Sequence, residues 1–289
     1  MTTSLGPGSL SDYPLPRLPA DGDKEDRGAV LVVGGDSVMA GAAILAGIAA
    51  LRVGAGKLQI RADRASAAVM AVAVPEAMIV IARSTDAQPL ITAGARASAW
   101  VLGPGMDTGQ SQRRLATRLL EATPTTPAVI DAGALPSGAQ ASAFADTAAG
   151  RTVLTPHAGE MAGMLGRDKK AIRADPLGAA RDAATMFRSV VVMKGATTYV
   201  VSPDGTAWRH EGGVAGLGTS GSGDVLAGAI GGLLARGAPP VVAALWGVVL
   251  HAQAGADLAA AGAPLGFLAR ELPDRLPFVL ARLCASAET

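Results

Sequence analysis

Four glycines fall within eight residues at Gly216–Gly223, and an aspartate follows directly, in GLGTSGSGDVLAGAIGGLL (216–234). Glycines at this density let the backbone turn tightly and bring several N–H groups together with no Cβ in the way. A helix opening near Ser222 adds unpaired N–H groups and the positive end of its dipole, so the turn reads as an anion site. Asp224 stands in the first turn of that helix. It could serve only to steady the helix start, but the flanking glycines exceed what a cap requires, and Asp224 is read as a catalytic carboxylate beside a bound phosphate.

Two other segments carry residues of chemical interest. TPHAGEM (155–161) sets His157 and Glu160 three apart at a helix start, where both could face one cleft; Thr155 as cap and Pro156 in the first turn would explain the same residues structurally. KGATT (194–198) places a lysine and two hydroxyls about a glycine turn, which suits either a hairpin or a phosphate contact. His210 and His251 have no partner pattern, and no spacing matches a zinc site. Gly216, Gly218 and Gly221 form a G-x-G-x-x-G, but it comes late and no acid follows between 237 and 256, so a dinucleotide fingerprint is rejected. GAGKL (54–58) fails as a P-loop because Leu51 and Leu58 replace its required Gly and Ser/Thr.

These segments share a position. AVLVV (29–33), KLQIR (57–61), AMIVI (77–81), SAWVL (98–102), PAVID (127–131), RTVLT (151–155) and SVVVMK (189–194) are short apolar runs read as buried strands, with TTYVVS (197–202) and TAWRH (206–210) as a hairpin. Helices are expected near 39–53, 63–72, 110–121, 157–165, 176–188, 222–236 and 239–261, the last two closing the fold. Such alternation implies an α/β fold, a mostly parallel central sheet with helices on both faces. Ligands bind beyond the carboxyl ends of such strands, and Gly34-Gly35, Gly103-Pro104-Gly105, Asp131, Thr155–Glu160 and Lys194–Thr198 all follow strands.

Composition narrows the function classes. Lys and Arg number 25 against 24 Asp and Glu, a net charge of +1, and no basic run supplies a nucleic-acid surface. The hydrophobic fraction is 49% with only 3% aromatic residues, so small aliphatic side chains build the core. The single cysteine, Cys284, and an N-terminus without a signal-peptide pattern suit the cytoplasm. The uncharged stretch 237–256 is read as a buried helix and not a membrane span, because of its Ala-Pro-Pro start, His251 and Gln253. Residues 1–27, rich in Pro, Gly and charge, read as a flexible or extended arm outside the fold, and 28–289 as one domain.

In order and spacing, GGDSVMAGAAILAGIAALRVGAGKL (34–58), VLGPGM (101–106), VIDAGAL (129–135), TPHAGEM, KGATT and GTSGSGDVLAGAIGGLLARG (218–237) resemble the ADP-dependent NAD(P)H-hydrate dehydratase family of the ribokinase-like superfamily. GSGDVLAG alone indicates only the superfamily; its combination with TPHxGE and GAAxLAGxxALRxGAG is more specific. The resemblance implies repair of the S epimer of hydrated NADH and NADPH: ADP phosphorylates the ring hydroxyl, phosphate is expelled, and AMP is left. It implies that Ala42, Gly105, His157 and Asp224 contact the hydrated cofactor, with Asp224 taking the hydroxyl proton. Lys194, Gly195, Ala196, Thr197, Thr198 and Gly223 would hold the nucleotide. Mg²⁺ would neutralise phosphate charge, with Glu160 the candidate to reach it through water. It further implies a homo-oligomer, a tetramer in that family, and a separate epimerase, since no fused epimerase is present. The chain departs from the family at Gly133, where a second aspartate is common, at Gly218-Thr219-Ser220, and at Gly212-Gly213, where an asparagine is expected. The alternative is a small-molecule kinase of the superfamily, of hydroxymethylpyrimidine or thiazole kinase type.

Overall fold

The computed structural model describes residues 1–19, 21–35, 38–83, 86–148, 150–262 and 264–287; Asp36 and Ser37 of the GGDSVMAGA segment lie outside them. The chain begins with β1 (Thr3–Ser4), β2 (Ala29–Val33), α1 (Ala40–Arg52), β3 (Lys57–Ala62), α2 (Ala67–Ala73), β4 (Ala77–Ile81) and α3 (Gln88–Gly94). It continues with β5 (Ala99–Leu102), α4 (Gln110–Ala122), β6 (Ala128–Ile130), α5 (Ala141–Ala148), β7 (Thr152–Leu154), α6 (Ala158–Leu165), α7 (Lys169–Ala174) and α8 (Pro176–Phe187). Then follow β8 (Val190–Met193), β9 (Thr197–Val201), β10 (Ala207–Glu211), α9 (Ser222–Ala235), α10 (Pro240–Ala261) and α11 (Leu272–Ala287).

The strands form one sheet in the order β1-β10-β9-β8-β7-β6-β5-β2-β3-β4, parallel throughout except that β9 is antiparallel to both its neighbours. This is the mostly parallel α/β arrangement expected from the strand pattern, and the ribokinase-like one that the resemblance implies. Side chains alternate across the pleat, so each central strand feeds two cores. Val30, Val32, Val101 and Val192 pack with α1, α9, α10 and α11, while Leu31, Val33, Leu102 and Val191 pack with α4, α5 and α8. Because β2 leads to β3 on one side and β5 joins it on the other, the side to which successive strands are added switches between β2 and β5. Such a switch point opens a crevice at the carboxyl ends of the strands.

On the first face α9 lies almost flush on α1. A Cβ at Gly228 would overlap the Ala46 carbonyl, and one at Gly232 would crowd that of Ala50. The glycines of this helix therefore serve close packing as well as the turn before it. Helix α10 is apolar enough to cross a membrane by composition, yet 67% of its apolar window is buried within the protein.

Two expectations need correction. The N-terminal segment is not an arm outside the fold: β1 pairs with β10, Leu5 and Leu10 are buried, and Trp246 Nε1 donates to the Tyr13 carbonyl at 2.7 Å. The pull is the apolar surface of Leu5, Leu10 and Tyr13, which the Pro-rich and charged surroundings obscure. The chain also does not close with α10, because α11 follows and buries Leu272, Leu276, Val279 and Leu283 against the same core. Pro273 and Pro277 mask it in the sequence; the first sits in the opening turn, where proline costs no hydrogen bond. Helices α3, α5 and α7, short and weakly patterned, were likewise not expected.

Candidate functional site

The strand-end segments converge on one rim. Asp131 ends β6 and is 2% exposed, accepting from Thr155 Oγ1 at 2.7 Å and Lys194 Nζ at 3.0 Å. Lys194 leaves β8, and its ammonium also lies 3.7 Å from Glu160 Oε2. The Lys194 N–H donates to the Pro156 carbonyl at 2.8 Å, and a single parallel bridge joins His157 to Lys194, so α6 and the 194–198 loop are laced together. The ammonium reaches the start of α9, where a Cβ on Gly223 would lie 3.3 Å from Nζ. Gly221 adopts φ +90° just before that helix, a left-handed conformation that glycine meets without strain.

Asp224 sits half-buried in the first turn of α9. Its carboxylate caps nothing: no side chain closes the helix start by a hydrogen bond, and none of the described residues donates to Asp224. Burial, joined by the negative charge of Asp131 and opposed by Lys194, pushes its pKa up to about 7. Burial pulls the Lys194 ammonium down, but Asp131, Glu160 and Asp224 together outweigh this and hold it above its ordinary value. The pair is thus a firmly protonated cation beside a carboxylate that exchanges its proton near neutrality. That carboxylate suits a general base, and the cation with the helix N-terminus suits a phosphoryl group.

His157 is itself the N-cap of α6, in place of the Thr155 expected from sequence; Thr155 instead turns its hydroxyl to Asp131. His157 Nδ1 accepts from the N–H groups of Gly159 at 3.0 Å and Glu160 at 3.1 Å, while Glu160 Oε2 accepts from His157 N–H at 2.7 Å. The capping fixes the tautomer: with Nδ1 accepting, the neutral ring carries its proton on Nε2, and the side chain is 59% exposed.

A cavity of about 540 Å³ opens beside this cluster. Lys194, Gly195, Ala196, Thr198, Gly223 and His157 line it, whereas Thr197 turns to a second hollow of about 620 Å³ across the loop, as strand alternation requires. Asp224, Ala42 and Gly105 are not on the cavity wall. Ala42 and Gly105 meet at the switch point, where Gly105 adopts φ +68° and a Cβ there would come within 2.7 Å of Ala42 Cβ. The same corner is tied by Gly35 N–H to the Pro104 carbonyl at 2.6 Å. The turn before α9 leans on α1, since a Cβ on Gly221 would lie 2.7 Å from Leu45 of that helix and 3.9 Å from Asp224 Oδ2.

Several residues that the sequence did not single out complete the site. Arg61, 1% exposed, donates to the carbonyls of Gly35 at 2.7 Å and Ala82 at 2.9 Å and pairs with Asp63, so a buried charge pins the Gly34-Gly35 turn. His251 of α10 lies 2.8 Å from Ser222 Oγ and 3.0 Å from the Ser222 carbonyl, and burial lowers its pKa to about 4. A neutral His251 therefore holds the first residue of α9. His210 lines the cavity from β10, opposite Thr198. Neither histidine carries a local motif; only the packing of α10 and the β9–β10 register bring them here.

The family model for NAD(P)H-hydrate dehydratase matches residues 30–277. A Xanthomonas campestris pv. campestris protein named ADP-dependent (S)-NAD(P)H-hydrate dehydratase is 48% identical over 284 residues, 95% of each chain. The bifunctional NAD(P)H-hydrate repair enzyme Nnr of Moorella thermoacetica is 37% identical over 95% of this chain and 53% of its own. In structure, the ADP/ATP-dependent NAD(P)H-hydrate dehydratase of Bacillus subtilis, co-crystallised with ATP/Mg²⁺, superposes with a TM-score of 0.83 at 28% identity, covering 98% of this chain and 99% of that one.

Proposed function

Since the chain belongs to the NAD(P)H-hydrate dehydratase family, we propose that it returns the S form of hydrated NADH and NADPH to the reduced cofactor with ADP as phosphoryl donor, leaving AMP and phosphate. One observation carries the reading: Asp224 lies in the first turn of α9, whose open N-terminus the Lys194 ammonium reaches, and burial there pushes the pKa of its carboxyl up to about 7. Asp224 accepts the proton of the ring hydroxyl as its oxygen bonds to the terminal phosphorus of ADP and the bond to AMP breaks. Phosphate then leaves with the electron pair of the broken carbon–oxygen bond, and transfer of the proton on the neighbouring ring carbon to water restores the double bond. Lys194, Gly195, Ala196, Thr198 and Gly223 hold the nucleotide in the cavity, with Thr197 steadying the loop from behind. Ala42, Gly105 and the Nε2–H of His157 hold the hydrated cofactor.

Among the described residues no group of three or more His, Cys, Asp or Glu could hold a metal ion alone. That suits Mg²⁺ brought in on nucleotide phosphates, with Glu160 reaching it through water, since its Oε2 is already engaged by His157. When bound, the ion would supply charge neutralisation at the phosphates. The site is proposed to work as part of a cytoplasmic homo-oligomer. In support, the edge strand β4 exposes Ile81 on the face that carries α2, where Val69 and Val72 are also exposed, and Met78 on the other face, apolar surface at a sheet edge suited to a second copy. An epimerase activity would supply the S form, a link in keeping with a relative named bifunctional of which this chain matches 53%.

The test is recovery of the reduced-nicotinamide absorbance when the hydrated cofactor is given with ADP or with ATP. Recovery with ADP, with AMP and phosphate formed and no phosphorylated organic product accumulating, is the expected result. A stable phosphorylated product would mark the kinase alternative, and a clear preference for ATP would remove ADP as the donor.

A further inference from the structure

His210 sits on β10 directly opposite Thr198, so both side chains point to the same face of the sheet, and both line the cavity beside Lys194. The residue is only 6% exposed. One ring nitrogen is accounted for: Nδ1 lies 2.9 Å from the carbonyl of Leu5, immediately after β1. A carbonyl can only accept, so Nδ1 carries the proton and the neutral ring offers Nε2 as an acceptor. That Nε2 is buried with no protein partner. It lies on the ring edge away from Leu5, beneath Gly212, where even a Cβ would come within 3.3 Å of it. A buried acceptor left without a partner is costly, and such groups are few in folded proteins. The cavity wall supplies the setting. Lys194 gives the lining its charge and Ser222 a hydroxyl, while Val214, Leu217, Leu226 and Val248 add apolar wall suited to a nucleoside.

Resting on the reading of this cavity as the nucleotide site, we propose that His210 recognises the nucleoside of ADP, its Nε2 accepting a hydrogen bond from a neutral donor of the ligand, either the ribose 2′-hydroxyl or the amino group of the base. The side chain-free Gly212-Gly213 turn gives way over the ring to admit that donor. The N-terminal strand thereby joins the site, because the Leu5 carbonyl fixes which nitrogen of His210 faces the nucleotide. His210 is a binding residue here and takes no part in proton transfer.

The test compares ADP, 2′-deoxy-ADP and the diphosphate of purine riboside, which lacks the 6-amino group, by calorimetry on the full-length wild type, His210→Phe and His210→Gln. The expected result is that His210→Phe weakens ADP by about tenfold, the scale of one buried hydrogen-bond partner lost. His210→Gln, whose amide oxygen still accepts, should recover most of it, and KM for the hydrated cofactor should stay unchanged in both. One analogue should bind wild type about tenfold more weakly than ADP yet lose its disadvantage in His210→Phe; which analogue does so tells ribose from base. Wild type that binds all three alike, or a folded His210→Phe with ADP affinity within about twofold of wild type, overturns the proposal. Should His210→Phe fail to fold, the analogue series on wild type and His210→Gln decides alone. Failure of the underlying nucleotide reading looks different: ADP would then bind no more weakly to Lys194→Ala than to wild type.

Discussion

On the β8 side of the rim, one ammonium and the carboxylates of Asp131 and Glu160 gather beside a cavity of about 540 Å³. On the β2 side, Gly105 closes on Ala42, and Gly35 is bonded through its backbone to Pro104, with hardly an atom to spare. The first region is built from charge and open volume, and its partners tolerate small shifts because Coulomb attraction falls slowly with distance. The second is built from backbone contact and shape, where a single methyl group has nowhere to go. A reaction that joins a polyanion to a puckered, damaged ring needs both kinds of surface, and Asp224 lies in the helix turn next to the charged one.

Removing that carboxylate should have the largest effect. Asp224→Asn keeps the shape but cannot take a proton, so kcat should fall by about 10²–10⁴-fold. ADP affinity should hold or improve, since a negative charge near Lys194 is gone; turnover above about a third of wild type would show that Asp224 is not the base. Lys194→Ala attacks the charged half. It should weaken ADP by about 1.5–3 kcal/mol while KM for the hydrated cofactor moves far less, and calorimetry showing unchanged ADP affinity would assign the lysine to fold alone.

Gly105→Ala attacks the other half. The left-handed φ and the contact with Ala42 make the substitution cost about 1–3 kcal/mol of stability. The kinetic damage should fall on the hydrated cofactor and spare ADP. Equal losses for both substrates would dissolve the distinction between the two regions.

Acidity gives the smallest effect. With Asp224 near 7 in the folded protein, kcat/KM should rise with pH through about 7 as the base form fills. The stability sign is opposite: a carboxyl raised from 3.8 favours the fold below about 4, and that contribution is lost as pH rises through about 7. Asp224→Asn should therefore melt at the wild-type temperature near pH 4 and above it at pH 8. His251, lowered to about 4, acts the other way, its contribution lost as pH falls from 6.5 toward 4. Melting curves of Asp224→Asn that track wild type at every pH would contradict the burial cost assigned to that carboxyl.

How far these regions could be read from sequence differs with the range of the interactions that build them. Continuous apolar runs such as AVLVV and AMIVI announce buried strands, and glycine density announces the turn before α9, because both are local. Lys194 and His157 follow strands, so a rule of topology is enough to bring them to the same rim. Asp131 was seen at the rim but given no role, since its partners Thr155 and Lys194 lie 24 and 63 residues away. His210 and His251 were passed over because their surroundings come from β1 and α9, distant in the chain. The burial of the N-terminus and α11 was hidden by prolines, whose local message overrode a weaker apolar one.

Helix α9 runs from the catalytic turn into the middle of the protein, with Gly228 and Gly232 against the backbone of α1 and no side chain between them. Glycine in a helix interior frays easily when exposed, so here the helix holds only while α1 is in place. Its amides cannot open one turn at a time from within; Leu226 through Ala235 are all buried. Under native conditions their hydrogens should exchange with solvent only when the whole protein unfolds, whereas the amides of Gly212 and Gly213, exposed and outside any helix or strand, should exchange without it. A phosphate at the first turn would consequently meet N–H groups anchored to a helix body that does not open.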